Sequence, residues 1–443
     1  MAISPARIAA FDILLRVDQQ DAYASELLHA SDCAKLSPAD HGLATELVLG
    51  VLRWRSLLDQ RIAQQSSLKL SKLDPQILTA LRMAAYQLLY LDRVPEHAAV
   101  HQSVELVKRA RKRSAVPFVN AVLRKFAAGA AGPRGTASEA ATETELAASS
   151  AHPEWLVKRW SREFGFPAAR QICEYDQQIP ETCISIREPV TANELESEGV
   201  KLAPGKLLTK ARRVIAGDLT KTQAFREGRV AIQDEASQLV ALLVGKGERI
   251  LDCCAAPGGK TRMLAERNPD AVIVAVELHP HRARLLRRLV PAKNVQVITA
   301  DICVAPVADL FDRVLVDVPC SGTGTLARNP EIKWRLKPED LLDLQTRQLA
   351  ILRAAVRQVA PGGRLVYSTC SLEREENQAV VESALSFDPS FRPVDIREPL
   401  QQLSSQGELV WKDIDSLTSG PYLRTIPGLH PWDGFFAAVL QKI

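Results

Sequence analysis

Two hydrophobic rhythms in a chain of 443 residues predict a multidomain protein. The expected parts are an all-α N-terminal domain, a small α+β module and a doubly wound α/β domain. Residues 1–126 show helix-period apolar spacing and no alternating run. From about Ile232 onward, short β-branched runs alternate with helical segments, the pattern of a mostly parallel sheet wrapped by helices. Between the two rhythms, residues 127–151 are Ala, Gly, Ser or Thr at 19 of 25 positions. That stretch is predicted to be a flexible linker, because so little apolar mass cannot offset the entropy of ordering it.

The opening MAISPARIAAFDILLRVDQQ carries Arg7, Asp12 and Arg16 within its apolar pattern, which predicts an amphipathic helix and not a signal peptide. Ser37-Pro38 and Asp74-Pro75 read as helix starts with proline in the first turn. Leu47, Val48, Val51 and Leu52 mark one apolar face, and Leu78, Leu81, Met83, Leu88 and Leu89 another. The domain holds 17 basic and 12 acidic residues. Within Leu106–Phe126 stand Lys108, Arg109, Arg111, Lys112, Arg113, Arg124 and Lys125, with no acid among them. Such a run either attracts a phosphate backbone or is an ordinary solvated helix face. Beyond the linker, Trp155, Leu156, Trp160 and Phe164 share one helical face and open the small α+β module, assigned to 152–231. In 232–443 the expected strands are Arg249–Cys253, Val272–Glu277, Val295–Thr299, Arg313–Val318 and Arg364–Thr369. The helical segments between and after them are Lys260–Arg267, Pro280–Val290, Pro338–Val359 and Glu373–Leu385.

Composition narrows the classes. Hydrophobic residues at 46% and charged residues at 24% describe an ordinary globular chain, not a disordered or collagen-like one. The net charge of +4 is too small to name a polyanion partner by itself. No stretch reaches the roughly 18 apolar residues of a membrane span. Eight cysteines without a CxxC pair suit a reducing cytoplasm, and neither they nor the eight histidines fall at metal-ligand spacing, so no zinc is expected.

Residues 251–261, LDCCAAPGGKT, join the first strand to its helix. Gly258, Gly259 and their small neighbours let backbone approach a ligand, and helix N-terminal amides favour an anionic group. A P-loop would need glycine where Cys254 stands, and GxGxxG is absent, which disfavours nicotinamide. Glu277 ends the second strand, where an acid can hold both ribose hydroxyls. Asp301 follows the third, placed to meet an adenine edge. Taken singly, each acid reads as a surface carboxylate. At successive strand ends they read together as a nucleoside site, and S-adenosyl-L-methionine fits it better than a dinucleotide.

Asp317-Val318-Pro319-Cys320 ends the fourth strand and Ser368-Thr369-Cys370-Ser371 the fifth. In a class I methyltransferase-type sheet those strands are neighbours, so both thiols would face one cleft beside the cofactor. Cys33, Cys173, Cys183, Cys253 and Cys303 read instead as small buried hydrophobes, as does the Cys254 thiol. A Cys320–Cys370 disulfide is disfavoured by the compartment. A thiol pair suits methylation of cytosine carbon 5, which is too weak a nucleophile to act unaided. A thiolate adding at carbon 6 makes it an enamine carbon. A carboxyl group at ring nitrogen 3 assists by donating a proton, and a second thiol helps remove the carbon 5 proton afterwards.

With these residues the chain resembles the bacterial small-subunit ribosomal RNA cytosine-C5 methyltransferases (the Sun, Fmu or RsmB group) of the NOL1/NOP2/Sun family. The matching text is AAPGGKT at 255–261, DVPCSGTGTLARNPEIKW at 317–334, PGGRLVYSTCS at 361–371, EENQAVV at 375–381 and HPWDGFFAAVL at 430–440, with QDEASQL at 233–239. LRMAAYQLLYLDRVPEHAAV and FVNAVLRK resemble the NusB fold. The resemblance implies a NusB-like RNA-binding domain and a class I S-adenosylmethionine-dependent catalytic domain. It implies Cys370 as nucleophile, Cys320 as the releasing thiol and Asp317 beside the base. Cys254, Ala255, Ala256, Pro257, Gly258, Gly259 and Lys260 would hold S-adenosyl-L-methionine, with Glu277, Arg282, Asp301 and Asp317. The implied partner is 16S ribosomal RNA, methylated near the peptidyl site before the subunit is complete, by a monomer that needs neither membrane nor metal. The basic run 108–125 would then contact RNA. The chain departs from the family pattern at Val318, where alanine is usual, at Glu277, where aspartate is common, and at Ile184–Arg187, which reads ISIR where LRVN is frequent. Transfer RNA as substrate, and an assembly factor whose methylation is incidental, remain alternatives.

Overall fold

The computed structural model describes residues 3–20, 22–29, 33–129, 140–187, 192–304 and 310–443. The chain forms two compact units, Met1–Ile179 with Leu326–Leu336, and Pro180–Thr325 with Lys337–Ile443.

The first unit is helical. It comprises α1 (Pro5–Gln20), α2 (Ala24–Leu28), α3 (Pro38–Arg53), α4 (Arg55–Gln65), α5 (Pro75–Tyr90), α6 (Glu96–Arg109), α7 (Val116–Gly129), α8 (Glu143–Ser149), α9 (Glu154–Phe164) and α10 (Phe166–Asp176). α3 and α5 begin at the expected Ser-Pro and Asp-Pro. Ser37 accepts the Asp40 N–H at 3.1 Å and Asp74 that of Gln76 at 3.2 Å, caps worth about 1 kcal/mol each. Leu47, Val48, Val51, Leu52, Leu81 and Met83 are buried in one core, with Leu88 and Leu89 packed at its edge. Gly50 lies beneath the Tyr86 ring, where no Cβ has room.

The linker prediction fails where it can be tested. α7 continues through 127–129, and residues 143–149 form α8; positions 130–139 lie outside the described residues. Thr142 accepts the Glu145 N–H at 3.2 Å, while the Glu145 carboxylate accepts that of Ala141 at 2.8 Å. This near-reciprocal capping, with Leu146 and Ala147 buried, offsets the poor composition. α9 and α10, expected to open the α+β module, also cluster with the helical unit. Trp160 is buried, and His152 Nε2 meets Asp176 Oδ2 at 3.2 Å.

Leu326–Leu336, which sequence position assigns to the doubly wound domain, joins the helical unit too. Trp334 Nε1 donates to Leu52 O at 2.6 Å. Lys333 Nζ donates to Arg53 O at 2.8 Å and to Ala151 O at 3.0 Å, and Arg53 Nη2 donates to Ala327 O at 2.9 Å. Leu52 and Arg53 end α3, where helix carbonyls lack intrahelical donors. The inserted segment supplies those donors, which is the physical reason it sits there. Burial lowers the affinity of Lys333 for its proton.

The second unit opens with a four-stranded antiparallel sheet. Its elements are β1 (Thr182–Ile186), α11 (Ala192–Ser197), β2 (Lys201–Pro204), β3 (Ala211–Ala216), α12 (Gln223–Arg226) and β4 (Val230–Ile232), in the order β2-β3-β1-β4. The larger sheet follows: α13 (Glu235–Val244), β5 (Arg249–Asp252), α14 (Gly259–Arg267), β6 (Val272–Glu277), α15 (Pro280–Leu289), β7 (Val295–Thr299), β8 (Phe311–Asp317), α16 (Ile332–Arg335, within the helical unit), α17 (Asp340–Val356), β9 (Val359–Thr369), α18 (Gln378–Phe387), β10 (Phe391–Val394), α19 (Arg397–Ser405), β11 (Thr418–Ser419), β12 (Tyr422–Arg424) and β13 (Phe436–Lys442). Its order is β11-β12-β13-β9-β8-β5-β6-β7, with β10 on β13. β9, β8, β5, β6 and β7 run parallel, and β13 pairs antiparallel with β9.

Ile250, Ile273, Leu315 and Val366 fill the core on one face of this sheet. Leu251, Val274, Val316 and Leu365 fill it on the other, the two-sided burial of a parallel sheet. Phe435, Phe436, Val439 and Leu440 are buried, so the C-terminal DGFF segment packs into the sheet. The chain moves from β5 to β6 and β7 on one side, then returns to β8 and β9 on the other. The switch point between β5 and β8 is where such folds bind ligands. Among the described residues no helix is long and apolar enough to cross a membrane.

Candidate active site

The loop after β5 is shaped around Gly258, at φ +116°. A Cβ there would meet Leu286 Cδ1 at 2.6 Å and Val290 Cγ2 at 2.7 Å, so only glycine fits. Arg282, expected to reach a ligand, gives Nη2 to Ala256 O at 3.1 Å and tethers the loop. At the end of β6, buried Glu277 accepts the His279 N–H on Oε1 at 2.9 Å. Beyond β7, exposed Asp301 accepts that of Cys303 on Oδ1 at 2.9 Å. Beneath the loop, Asp252 Oδ2 accepts the Thr261 hydroxyl at 2.7 Å while Oδ1 is buried without a partner among the described residues. Burial pushes this carboxyl up to about 7.

Lys260 belongs to the loop by position, but its ammonium donates to Asp317 Oδ2 at 2.7 Å and lies 5.3 Å from the centre of the Phe435 ring. Burial favours its neutral form, yet the charge and hydrogen bond of Asp317 outweigh that and raise its pKa. The other Asp317 oxygen accepts Ser368 Oγ at 2.7 Å. Both oxygens of this carboxylate are therefore held before any substrate arrives.

β8 and β9 pair Asp317 with Ser368, so Cys320 and Cys370 leave adjacent strand ends. Their sulfurs lie 3.3 Å apart as free, half-buried thiols. The hydrogen bond to Cys370 and burial both keep the Cys320 thiol protonated well above its ordinary range. Of the remaining cysteines, Cys33, Cys173, Cys183 and Cys253 are buried as expected and Cys254 partly so. Cys303 is exposed, because it sits in the turn after β7 and not in a strand.

Behind the thiols the EENQAVV stretch contributes a carboxylate whose place the sequence alone does not reveal. Glu376, fully buried, accepts the Ser321 N–H at 2.8 Å, Gln348 Nε2 at 2.8 Å, Ser371 Oγ at 2.5 Å and the Ser321 hydroxyl. Asn377 receives the Thr369 hydroxyl at 2.5 Å and donates to Ser371 O at 2.8 Å. Gly324 N donates to Cys370 O at 2.9 Å, and Gly434 N to Gly324 O at 2.8 Å, with no space for a side chain on Gly324. The Cys320 and Cys370 loops are thus bonded to one carboxylate, one amide and the DGFF backbone.

The basic run is only partly available. Asp12 pairs with Arg109 at 2.8 Å, Glu105 with Lys108 at 2.6 Å, and Asp74 with Lys112. The sequence run lacks acids, but folding brings three to it. Arg111, Arg113, Arg124 and Lys125 are exposed and have no ion-pair partner among the described residues. No group of His, Cys, Asp and Glu among the described residues could hold a metal ion.

Comparison with known proteins agrees with this division of the chain. Residues 239–441 match the family described as 16S rRNA methyltransferase RsmB/F, and residues 4–128 match the NusB family. The chain is 34% identical to the probable ribosomal RNA small subunit methyltransferase B of Bacillus subtilis, over 98% of both chains. It is 31% identical to the ribosomal RNA small subunit methyltransferase B of Vibrio cholerae, over 92% of this chain and 91% of that one. The crystal structure of PH0851 shares the fold over 100% of both chains, with a TM-score of 0.82 at 24% identity. Two thiols at adjacent strand ends of a class I sheet, in a chain matched over 98% of its length by the Bacillus relative, place the protein in the 16S rRNA methyltransferase RsmB/F family, in the form that carries a NusB-family domain.

Proposed function

We propose that this chain forms 5-methylcytosine in 16S ribosomal RNA, with Cys370 as nucleophile, Cys320 as the releasing thiol and S-adenosyl-L-methionine as methyl donor. The observation that carries the reading is the pair of sulfurs 3.3 Å apart beside the Lys260–Asp317 ion pair.

The strand ends suit the donor. Gly258 lets the loop pack closely on Leu286 and Val290, Glu277 keeps one carboxylate oxygen without a described hydrogen bond, and Asp301 is exposed. The loop from Cys254 to Gly259 with Glu277, Asp301 and Asp317 would hold S-adenosyl-L-methionine, which supplies an electrophilic methyl group there. Cys320 retains its proton, and Lys260 is cationic beside Cys370. Cys370 adds to carbon 6 of a cytosine drawn out of its stack. Asp317, already paired with Lys260, accepts from the exocyclic amine, and the pair supplies the proton that ring nitrogen 3 takes as charge builds. After methylation the Cys320 proton passes to the Lys260–Asp317 pair, which has given its own to ring nitrogen 3. The Cys320 thiolate then takes the carbon 5 proton, the bond between carbon 6 and Cys370 breaks with its electron pair returning to Cys370, and ring nitrogen 3 releases its proton to water. The free cations Arg111, Arg113, Arg124 and Lys125 hold RNA phosphates.

The test uses the Cys320→Ala protein with S-adenosyl-L-methionine and unmodified small-subunit RNA on a denaturing gel. A protein–RNA adduct should accumulate, and Cys370→Ala should abolish it. Methylation by the native protein with no adduct from Cys320→Ala would mean the thiol roles are wrong. A native protein inactive on this RNA would refute the substrate.

A further inference from the structure

A cavity of about 580 Å³ opens in the second unit between the end of β1, α14 and the turn after α15. Among the described residues its lining holds the cations Arg187, Lys210, Arg262 and Lys293 and the carboxylate Glu266. They come from positions far apart in the chain, so no charge run announces them.

Arg262 is the informative member. It is 6% exposed, yet Nε and Nη1 find no hydrogen-bond acceptor among the described residues. Nη2 donates to Ser185 Oγ. Glu266 stands 3.8 Å from Arg262 Nε and 3.8 Å from Arg187 Nε, within ion-pair range but beyond a hydrogen bond. A buried guanidinium with unmet donors costs free energy comparable to lost hydrogen bonds. Water could fill the donors but carries no charge to set against the guanidinium. A phosphate can do both, since its oxygens match the guanidinium fork.

α14 adds a second argument. Lys260 and Arg262 are two residues apart, about 200° around a helix. One side chain reaches Asp317 and the other lines the cavity. A single rigid helix therefore carries the ion pair beside the thiols on one side and a cationic cavity on the other.

We propose that this cavity binds a phosphodiester of the RNA substrate, outside the pocket that takes the target base. The inference rests on the reading of the chain as an RNA methyltransferase. It assigns Arg262 and Lys293 as the principal contacts, with Arg187 and Lys210 adding charge.

The experiment compares full-length native protein with Arg262→Gln and with Lys293→Glu, the second chosen because Lys293 is exposed and its replacement leaves the buried bonds alone. Affinity for small-subunit RNA is measured against salt, and KM and kcat on the same RNA. Each variant should bind about three- to tenfold more weakly, lower the salt slope by about one phosphate contact, and show the loss in KM. Native affinity and slope in both variants overturn the proposal, while methylation and adduct formation by the parent leave the proposed function standing. A parent that binds no RNA refutes both. Inorganic phosphate is the second probe. If it raises the melting temperature of native protein but not of Arg262→Gln, and RNA affinity is unaltered, the cavity takes a small free anion and the RNA assignment fails.

Discussion

The cysteine loops and the cavity beneath Arg262 are both lined by buried polar groups, and they treat those groups in opposite ways. Around the thiols the donors and acceptors are matched to one another: Glu376 alone takes four hydrogen bonds. In the cavity a guanidinium of similar burial leaves two nitrogens unmatched. The difference separates two tasks. Chemistry needs its geometry set before the substrate arrives. A backbone-binding site needs donors whose acceptor is the ligand itself.

Breaking the matched side should have the largest effect. Glu376→Gln keeps the shape but presents an amide nitrogen to at least one of its donors. Losing hydrogen bonds to a charged group costs about 1.5–3 kcal/mol each, so kcat should fall about tenfold to a hundredfold. Adduct formation in a Cys320→Ala background should fall with it, and S-adenosyl-L-methionine binding should be unchanged. Loss of thermal stability with native kcat would show that Glu376 supports the fold and does not position the thiols.

A smaller effect separates paired from unpaired cations in the helical unit. Arg124→Ala should weaken RNA binding about two- to fourfold. Arg109→Ala should weaken it less, because Asp12 already neutralises that guanidinium. Filter binding of the two variants side by side decides it, and equal losses would show that the ion pair does not govern how the run contacts RNA.

The remaining effect is a pH dependence of stability. Asp252 has a folded-state pKa of about 7 against an ordinary 3.8. Between those values the folded protein binds one more proton than the unfolded chain, so this group's contribution to stability falls as pH rises through the window and is fully lost above about 7. Asp252→Asn lacks that titration. Denaturant unfolding at pH 5 and pH 7.5 should show the variant gaining on the native protein at the higher pH. A constant difference would place the proton elsewhere.

What could be read from the sequence followed chain order. Glu277, Asp317, Cys320 and Cys370 sit at or just after strand ends, and β-branched runs mark those strands. Proline-led caps marked α3 and α5 equally well. Composition hides α8, and the one sequence sign of it is the T-x-x-E at Thr142–Glu145, the spacing of a capping signal. Lys260 lies on the cofactor loop, but position in a motif does not tell where a long side chain reaches, here to Asp317. Glu376 and Arg262 owe their environments to residues tens of positions away, and no periodicity carries that.

The Leu326–Leu336 insertion has a genetic consequence. The chain crosses between the two units after Ile179, after Thr325 and after Leu336, so no single break in the gene separates them cleanly. A fragment ending at Ile179 would leave the carbonyls of Leu52 and Arg53 without Trp334 and Lys333. A fragment starting at Pro180 would carry those side chains with nothing to cap. Recombination that exchanged the helical unit would have to carry two separate stretches of the gene, those encoding residues 1–179 and 326–336, to keep both halves of this contact together.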